Sequence, residues 1–336
     1  MKASLKVAVM AGGHSGEAEV SRRSAAMIMN HMDRSRFAPV LVHIDRDGWW
    51  AERPEDGKRT RVSMLDNTYE GADGARHGFD VAFIIVHGTP GEDGLLQAHL
   101  QWTGLPHTTA SARAMATTFH KGWTTALLRN AGIPVARSIE ILPGETWDVE
   151  KVDEVVGQLG LPCFVKPNES GSSLGITKVK HAEDLCHAVE TARATGSSTV
   201  LVEALLSGRE FTCGVIPDGE GGLQALPVTE ILTDNDFFDY AAKYDGQSRE
   251  VTPAEVDAAD TAALQSTAVR TYRTLHMQGM ARVDMMLEPG GEPHVIEINA
   301  VPGFSEQSII PQQAEAVGLS KQALITRILD DAWARR

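Results

Sequence analysis

Apolar positions along the chain follow two periods. Short unbroken apolar runs predict buried strands at Leu5–Met10, Ala38–Ile44, Phe79–Val86, Leu161–Lys166, Thr199–Leu205 and Arg209–Ile216. Runs with apolar residues three and four apart predict helices at Ser111–Thr118, Lys121–Ala131, His181–Ala194, Ala254–His276, Ser308–Val317 and Ser320–Ala334. Gly132-Ile133-Pro134 stops the second of these. Residues 53–78 are polar, glycine-containing and predicted to be irregular. The first apolar run leads through AGGHSGEAEVSRRSAAMIMNHM into a helix. Strand, glycine turn, helix is the opening of a doubly wound α/β unit. Phe79–Val86 repeats that crossing through HGTPGEDGLLQAHLQWTGLPHTT, and a new unit begins near residues 110–125.

The end of the chain changes period. GMARVDMMLEPGGEPHVIEINAVPGFSEQSIIP reads as a β-hairpin, a loop and a helix start, with the turn at Pro289-Gly290-Gly291-Glu292-Pro293. Residues two apart on a strand share a face. A turn centred on Gly290-Gly291 sets Asp284 opposite Glu297 and Arg282 opposite Asn299, with Val283, Met285, Ile296 and Ile298 on the apolar face. Like charges opposed on one face repel, so something must compensate. Arg282 is one candidate; a hard cation such as Mg²⁺, which takes carboxylate and amide oxygens, is another. A solvated polar face is the plain alternative.

Four other stretches carry possible chemistry. Gly12, Gly13 and Gly16 precede a helix N-terminus that favours anions, but the spacing is not G-x-G-x-x-G. Glu17 and Glu19 in the first turn are equally explained as compensation of the helix dipole. His87, Glu92 and Asp93 follow a strand at the edge where α/β sheets bind ligands. A histidine there is more often structural, and Glu92 fits a simple helix start. NESGSSLGITKV after Lys166-Pro167 is a loop of small residues able to wrap a phosphate, or else a plain turn; it is not a P-loop. Residues 233–253, TDNDFFDYAAKYDGQSREVTP, are long and polar yet hold four aromatics. That combination predicts a lid rather than plain disorder.

Composition narrows the class. A chain of 336 residues holds at least two domains. A net charge of −14 with no basic stripe argues against nucleic acid as partner. Cys163, Cys186 and Cys213 are scattered without zinc spacing and fit a reducing compartment. The apolar run Val7–Ala11 is too short for a signal peptide, and no stretch has the length of a membrane span. A soluble cytoplasmic protein is expected.

The motifs GGHSGEAEVS, HGTPGEDG, VKPNESGSSLG, LVEALLSGREFT, FFDYAAKY, ARVDMM and EINAVPGFSEQSIIP stand in one order along nearly the whole chain. In this the sequence resembles the D-alanine–D-alanine ligases of the ATP-grasp superfamily. The resemblance implies an α/β and α+β fold: an N-terminal open α/β domain (1–120) for substrate, then a two-part ATP-grasp domain. Its central part would be 121–203, and its C-terminal part 204–336 would carry the metal site and the lid 233–253. The implied reaction joins two D-alanines at the expense of ATP through an acyl phosphate, for peptidoglycan precursor synthesis, with two Mg²⁺ (or Mn²⁺) ions. A homodimer is implied too.

Residue by residue, the resemblance places Lys121 and Lys166 on the α- and β-phosphates and Lys243 on the terminal phosphates. Glu203 and Glu210 match adenine- and ribose-side carboxylates. The backbone of Ala204, Leu205 and Leu206 would bind adenine between Phe164 and Met286. Asp284, Glu297 and Asn299 match the metal ligands; Arg282 and the Gly303 N–H match oxyanion donors. Glu17 matches the residue that holds the first substrate's ammonium, tied through Ser172 and Tyr244 to the closed loop, with His87 beside it. Ser308 and Ile309 match the second-substrate pocket. The chain departs from the common pattern at Phe238, Ala241 and Ile309, and at His120, where Asp is usual. Lys243-Tyr244 favours D-alanine as second substrate. The competing readings are a related ligase using D-lactate or D-serine, and a non-catalytic ATP-binding scaffold.

Overall fold

The computed structural model describes residues 4–145, 147, 149–169, 171, 174–233 and 248–336. Its architecture is three sheets with helices between them. The first carries β1 (Leu5–Gly12), β2 (Phe37–Asp45), β3 (Gly48–Glu52), β4 (Arg59–Arg61) and β7 (Val81–Ile84) in the order β4-β3-β2-β1-β7. β1 pairs in parallel with β2 and β7, which is why its residues Val7–Ala11 are apolar without alternation: both faces are covered. Helix α1 (Ala18–His31) makes the first crossing, and α2 (Leu95–Trp102) covers the far side. Residues 53–78, expected to be irregular, hold β4 and a small ribbon of β5 (Tyr69–Glu70) and β6 (Arg76–His77). Pairs this short leave no periodicity to read.

Helices α3 (Ala112–Phe119) and α4 (Lys121–Asn130) lead to the second sheet. Ser111 caps α3 by accepting from the Ala114 N–H, so the serine that opened the helical pattern is its N-cap. The second sheet runs β10 (Thr177–Val179), β9 (Cys163–Pro167), β11 (Val200–Ala204), β8 (Ser138–Ile141). Helices α5 (Val149–Leu159) and α6 (Leu185–Arg193) seal one face over Val155, Val165, Val189 and Val202. β8 and α5 carry no signal strong enough to be read from sequence. The opposite face presents Phe164, Lys166 and Glu203, in the alternation of the strands.

The third sheet orders β15 (Ser248–Val251), β14 (Thr229–Thr233), β12 (Arg209–Pro217), β16 (Ala281–Leu287) and β17 (His294–Asn299), with β13 (Leu223–Ala225) beside β12. Residues 248–251 therefore belong to a strand paired with β14, not to a loop spanning 233–253. Strand pairing with a neighbour 15 or more residues away is invisible to a local pattern. Helix α7 (Ala258–Thr274) opens on Asp257, whose carboxylate accepts from the Asp260 N–H, and packs under β12 and β16.

Two helices close the chain, α8 (Ile309–Ala316) and α9 (Lys321–Ala334). α9 touches α1 and β7 of the first sheet and β12 of the third, through Leu324, Ile325, Ile328 and Leu329, all at 0% exposure. One continuous apolar core thus joins the first and third sheets, while the second sheet has a core of its own. Among the described residues, no helix is long and apolar enough to cross a membrane.

Candidate active site

The site starts as one face of the third sheet. β16 alternates strictly: Ala281, Val283, Met285 and Leu287 are buried in the core, while Arg282, Asp284 and Met286 take the other face. The pairing carries that face across the sheet in rows. Thr229, Thr212, Asp284 and Glu297 stand abreast; Gly214, Arg282 and Asn299 form the next row; Glu250, Ile231, Glu210 and Met286 the one beyond. The expected opposition of Asp284 to Glu297 and of Arg282 to Asn299 is present. The expected apolar partner is not. The register shifts after Asp284, so Met285 faces Val295, and Val295 rather than Ile296 enters the core. A bulge of this kind cannot be placed from alternation, because both residues are apolar.

Asp284 is held from three sides. The Arg282 guanidinium donates to both its oxygens at 2.9 and 2.8 Å, Thr212 Oγ1 donates at 2.6 Å, and Asn299 Nδ2 donates at 2.9 Å. Burial works against the charge on Arg282. Asp284 beside it, and Glu297 beyond, outweigh that burial and hold its pKa above the ordinary value. The like charges opposed across the hairpin are thereby partly answered within the protein. The donor set still suits a hard cation: two carboxylates and the amide oxygen of Asn299, whose nitrogen is spent on Asp284. Among the described residues there is no cluster of three or more His, Cys, Asp or Glu, so any metal here leans on the asparagine and on ligand oxygens.

A cavity of about 350 Å³ opens over this face. The first sheet contributes Glu17, His87 and Glu92; α4 contributes Lys121; the third sheet gives Glu210, Arg282, Asp284, Glu297 and Asn299; the last loop gives Gly303, Ser308 and Ile309. Residues spread over almost 300 positions are thus brought to one hollow.

Glu17 precedes α1 without a side-chain cap bond. Its carboxylate lies against the central segment: a Cβ on Gly171 would fall 2.7 Å from Glu17 Oε2. His87 is 5% exposed and pairs its Nδ1 with the Val301 carbonyl at 2.9 Å. A carbonyl only accepts, so Nδ1 carries the proton, and Nε2 is a buried lone pair without a partner among the described residues. Burial lowers the His87 pKa, which keeps the ring neutral.

Glu92 is the residue that sequence reasoning set aside. It does not start a helix; α2 begins at Leu95 with Gly94 before it. Its carboxylate instead folds back to accept from the Gly88 N–H at 2.7 Å, inside the cavity. Burial, with the charges of Glu17 and Glu297 adding to it, pushes its pKa up to about 7. The signal available was HGTPGEDG itself, whose three glycines force a tight loop; Gly91 has Val86 O where a Cβ would stand, 2.0 Å away.

At the other end of the cavity, Ser308 precedes α8 and its hydroxyl accepts from the Ser305 N–H at 2.9 Å. Pro311 has no N–H, so Ile309 and Ile310 supply the donors of the first turn. Gln313, at 0% exposure and missed by sequence, pins this helix: its amide bonds Thr212 O, Thr229 Oγ1 and the Gly214 N–H.

Of the expected nucleotide residues, Lys121 and Glu210 line that hollow, while Phe164, Lys166, Glu203, Ala204, Leu205, Leu206 and Met286 do not. Phe164, Lys166 and Glu203 share the open face of the second sheet, where Lys166 and Glu203 form a buried ion pair with each other. Leu205 and Leu206 continue from Ala204 toward Arg209, and Glu210 faces Met286 on the third sheet. Ser172, Lys243 and Tyr244 lie outside the described residues.

Family models agree with this layout. The model described as D-ala D-ala ligase N-terminus matches residues 6–110, and the one described as D-ala D-ala ligase C-terminus matches residues 127–330. The chain belongs to the D-alanine–D-alanine ligase family. A curated D-alanine–D-alanine ligase of Parabacteroides distasonis is 38% identical over 330 residues, 98% of each chain. Among solved structures, the VanG D-Ala:D-Ser ligase of Enterococcus faecalis matches with a TM-score of 0.87 and 29% identity over 98% of this chain and 100% of that one. The D-alanine–D-alanine ligase of Coxiella burnetii matches with a TM-score of 0.86 and 27% identity over 99% and 94%. The fold is the ATP-grasp fold with its preceding α/β domain, and the chain is a ligase that uses ATP.

Glu92 gives a pH test. Its carboxyl binds protons more tightly folded than unfolded between pH 4.5 and about 7. The folded state therefore loses stability as pH rises through that window. Glu92→Gln removes that loss while keeping an oxygen for Gly88. In urea unfolding without metal or nucleotide, the variant should match the parent near the bottom of the window. By about pH 7.5 it should exceed the parent by on the order of 3 kcal/mol. A difference that does not grow with pH refutes the assignment.

Proposed function

We propose that the cavity joins two D-alanines through an acyl phosphate, at the expense of ATP. The observation that carries this is the convergence of Glu17 and His87, Arg282 with Asp284, Glu297 and Asn299, and Gly303 with Ser308 on one hollow. That convergence supports reading a site for an ammonium, one for phosphoryl oxygens and one for a carboxylate side by side.

Glu17 and the free Nε2 of His87 accept from the ammonium of the first D-alanine. That leaves its carboxylate free to attack the γ-phosphate. Lys121 and Lys166 neutralise the α- and β-phosphates, and Lys166 must exchange Glu203 for the nucleotide to do so. Phe164, Met286 and the backbone of Ala204–Leu206 wall the adenine, with Glu203 and Glu210 on its polar edges. Asp284, Glu297 and Asn299 are the oxygen donors for Mg²⁺ or Mn²⁺. Such ions, when bound, supply charge neutralisation to the transferring phosphoryl group. Arg282 and the Gly303 N–H then donate to the oxyanion that forms as the second amine attacks. Ser308 and the first-turn N–H groups of α8 hold the second substrate's carboxylate. The family resemblance adds Ser172, Lys243 and Tyr244 to this set. We assign residues 1–120 to first-substrate binding, 121–203 to the central and 204–336 to the C-terminal ATP-grasp part, in a cytoplasmic enzyme of peptidoglycan precursor synthesis.

A homodimer is also inferred. Leu95 and Trp102 lie seven residues apart, on one face of α2, and are 64% and 90% exposed. Analytical ultracentrifugation should give twice the chain mass; a monomer at micromolar concentration would refute it.

The reaction is tested by product analysis with ATP and Mg²⁺. D-Alanine should yield the dipeptide and inorganic phosphate, while L-alanine yields neither. D-Serine or D-lactate offered beside D-alanine should leave D-alanyl-D-alanine as main product. Chelation should stop turnover and Mg²⁺ restore it, but not in Glu297→Gln, where a neutral amide replaces the second charge. A mixed product in excess would move the chain to the alternative specificity.

Glu17→Gln separates substrate from nucleotide. Losing a charged hydrogen bond costs roughly 1.5–3 kcal/mol, or about ten- to hundred-fold. The KM for the first D-alanine should rise by that factor with the KM for ATP little changed. Equal effects on both would remove Glu17 from the ammonium site.

A further inference from the structure

α4 begins where its N–H groups ought to be free, yet each is taken. The Lys121 N–H donates to the Asn168 carbonyl at 3.1 Å, and the Gly122 N–H to Asn168 Oδ1 at 2.8 Å. The Trp123 N–H donates to His120 Nδ1 at 3.2 Å, and the Thr124 N–H to the His120 carbonyl at 3.0 Å. Helix starts normally leave such donors to water or to a ligand. Here one residue of the second sheet takes the first two.

Asn168 has 0% exposure and follows β9 directly. Its N–H continues the strand pairing to the Thr199 carbonyl at 3.2 Å. Its amide nitrogen donates to Thr199 Oγ1 at 2.8 Å and to Glu140 Oε1 at 3.1 Å. Every polar group of this residue is engaged, and three chain segments meet on it. His120 closes the cluster. Because Nδ1 accepts from a backbone N–H, its proton is on Nε2, 3.4 Å from both Glu140 Oε1 and Thr199 Oγ1. Its ring stacks on Trp123 with centroids 4.3 Å apart. The fit leaves no room at Gly122, where a Cβ would stand 3.1 Å from both Asn168 Oδ1 and Glu140 Oε2.

We propose that Asn168 is a positioning residue that clamps the first turn of α4 to the end of β9, so that Lys121 and Lys166 are held at fixed spacing for ATP. Lys121 is the first residue of α4 and Lys166 lies two residues before Asn168. The two lysines sit on different elements 45 positions apart, and Asn168 bonds the backbone of one from the strand of the other. Phosphate recognition by two separate cations depends on their spacing, since a bound polyphosphate cannot adapt to both if they drift. The inference rests on the reading that these two lysines meet the phosphates.

The experiment is a double-mutant cycle on the full enzyme, read as KM for ATP, KM for D-alanine and melting temperature. Lys121→Met should raise the KM for ATP strongly. Asn168→Ala leaves the Gly122 N–H unpaired, and should raise the KM for ATP about ten-fold with the KM for D-alanine within about two-fold. In the Lys121→Met background, Asn168→Ala should add little, because its effect passes through that lysine. A merely structural residue would lower the melting temperature and disturb both substrates alike. Full additivity overturns the positioning role alone. An unchanged KM for ATP in Lys121→Met overturns the phosphate reading and the proposal with it. If Asn168→Ala does not fold, an exchange carries the test. Asn168→Asp sets a carboxylate against Glu140 and should raise the KM for ATP; adding Glu140→Gln restores a donor facing an acceptor and should bring it back to within about three-fold of the parent. No recovery overturns the clamp.

Discussion

Asp284 sets the terms for the whole hollow. It sits one strand in from the edge of the third sheet, 8% exposed, opposite another carboxylate. A charge in that position persists only if it is paired and hydrogen-bonded. Arg282, Thr212 and Asn299 do that, each from a strand position two residues or one strand away. Because all three partners are spent on Asp284, their own rotamers are fixed. Arg282 and Asn299, proposed as oxyanion donor and metal ligand, are therefore oriented before any substrate arrives, which is the arrangement that electrostatic catalysis needs.

That face would be an open sheet without what leans on it. Gln313 ties α8 to the strands beneath it, and Ile310 lies over Gly214, where a Cβ would meet it at 2.4 Å. α9 then joins the third sheet to the first through one apolar core. His87 closes the join on the polar side by bonding the Val301 carbonyl. The substrate end and the phosphoryl end are thus parts of one packed body. The second sheet is attached differently: its core is separate, and its link to the site runs through polar groups at the start of α4 and through Gly171 against Glu17. Apolar packing fixes the first two pieces together, and directional hydrogen bonds place the third. A nucleotide lying between the second and third sheets would meet a wall that is aligned, not welded.

Glu92 shows how charge is distributed within such a site. Glu92 feels the charges of Glu17 and Glu297 across the cavity, on top of its own burial. Held against the Gly88 N–H, it has its pKa pushed to about 7 by burial first and by its charged neighbours second. Selectivity between similar side chains comes here from where the loop folds, not from residue type.

Much of this was legible in the chain itself. Alternation placed Arg282 and Asp284 on one face, and the turn at Gly290-Gly291 set them against Asn299 and Glu297, because a hairpin's register follows from local sequence. The capping residue Ser111 marked a helix start for the same local reason, whereas α7 starts at Ala258 behind Asp257, four residues past the expected Ala254. The motif order identified the family, and with it the roles given to Glu17, Lys121 and Ser308. What the sequence did not determine was long-range. Glu92 read as a helix start because its partner, the Gly88 N–H, depends on the folded loop. Lys166 matched a phosphate lysine with no partner residue indicated, while the fold sets Glu203 beside it. Val295 and Ile296 are equally apolar, so only packing against the core decided which enters it. Ser248–Val251 became a strand because β14 lay there to pair with. Asn168 looked like one residue of a small-residue loop, and became the clamp on α4 only through contacts 28 to 47 positions away. Local chemistry fixes what each segment can form; which polar groups meet depends on how the segments pack, and no short stretch of sequence contains that information.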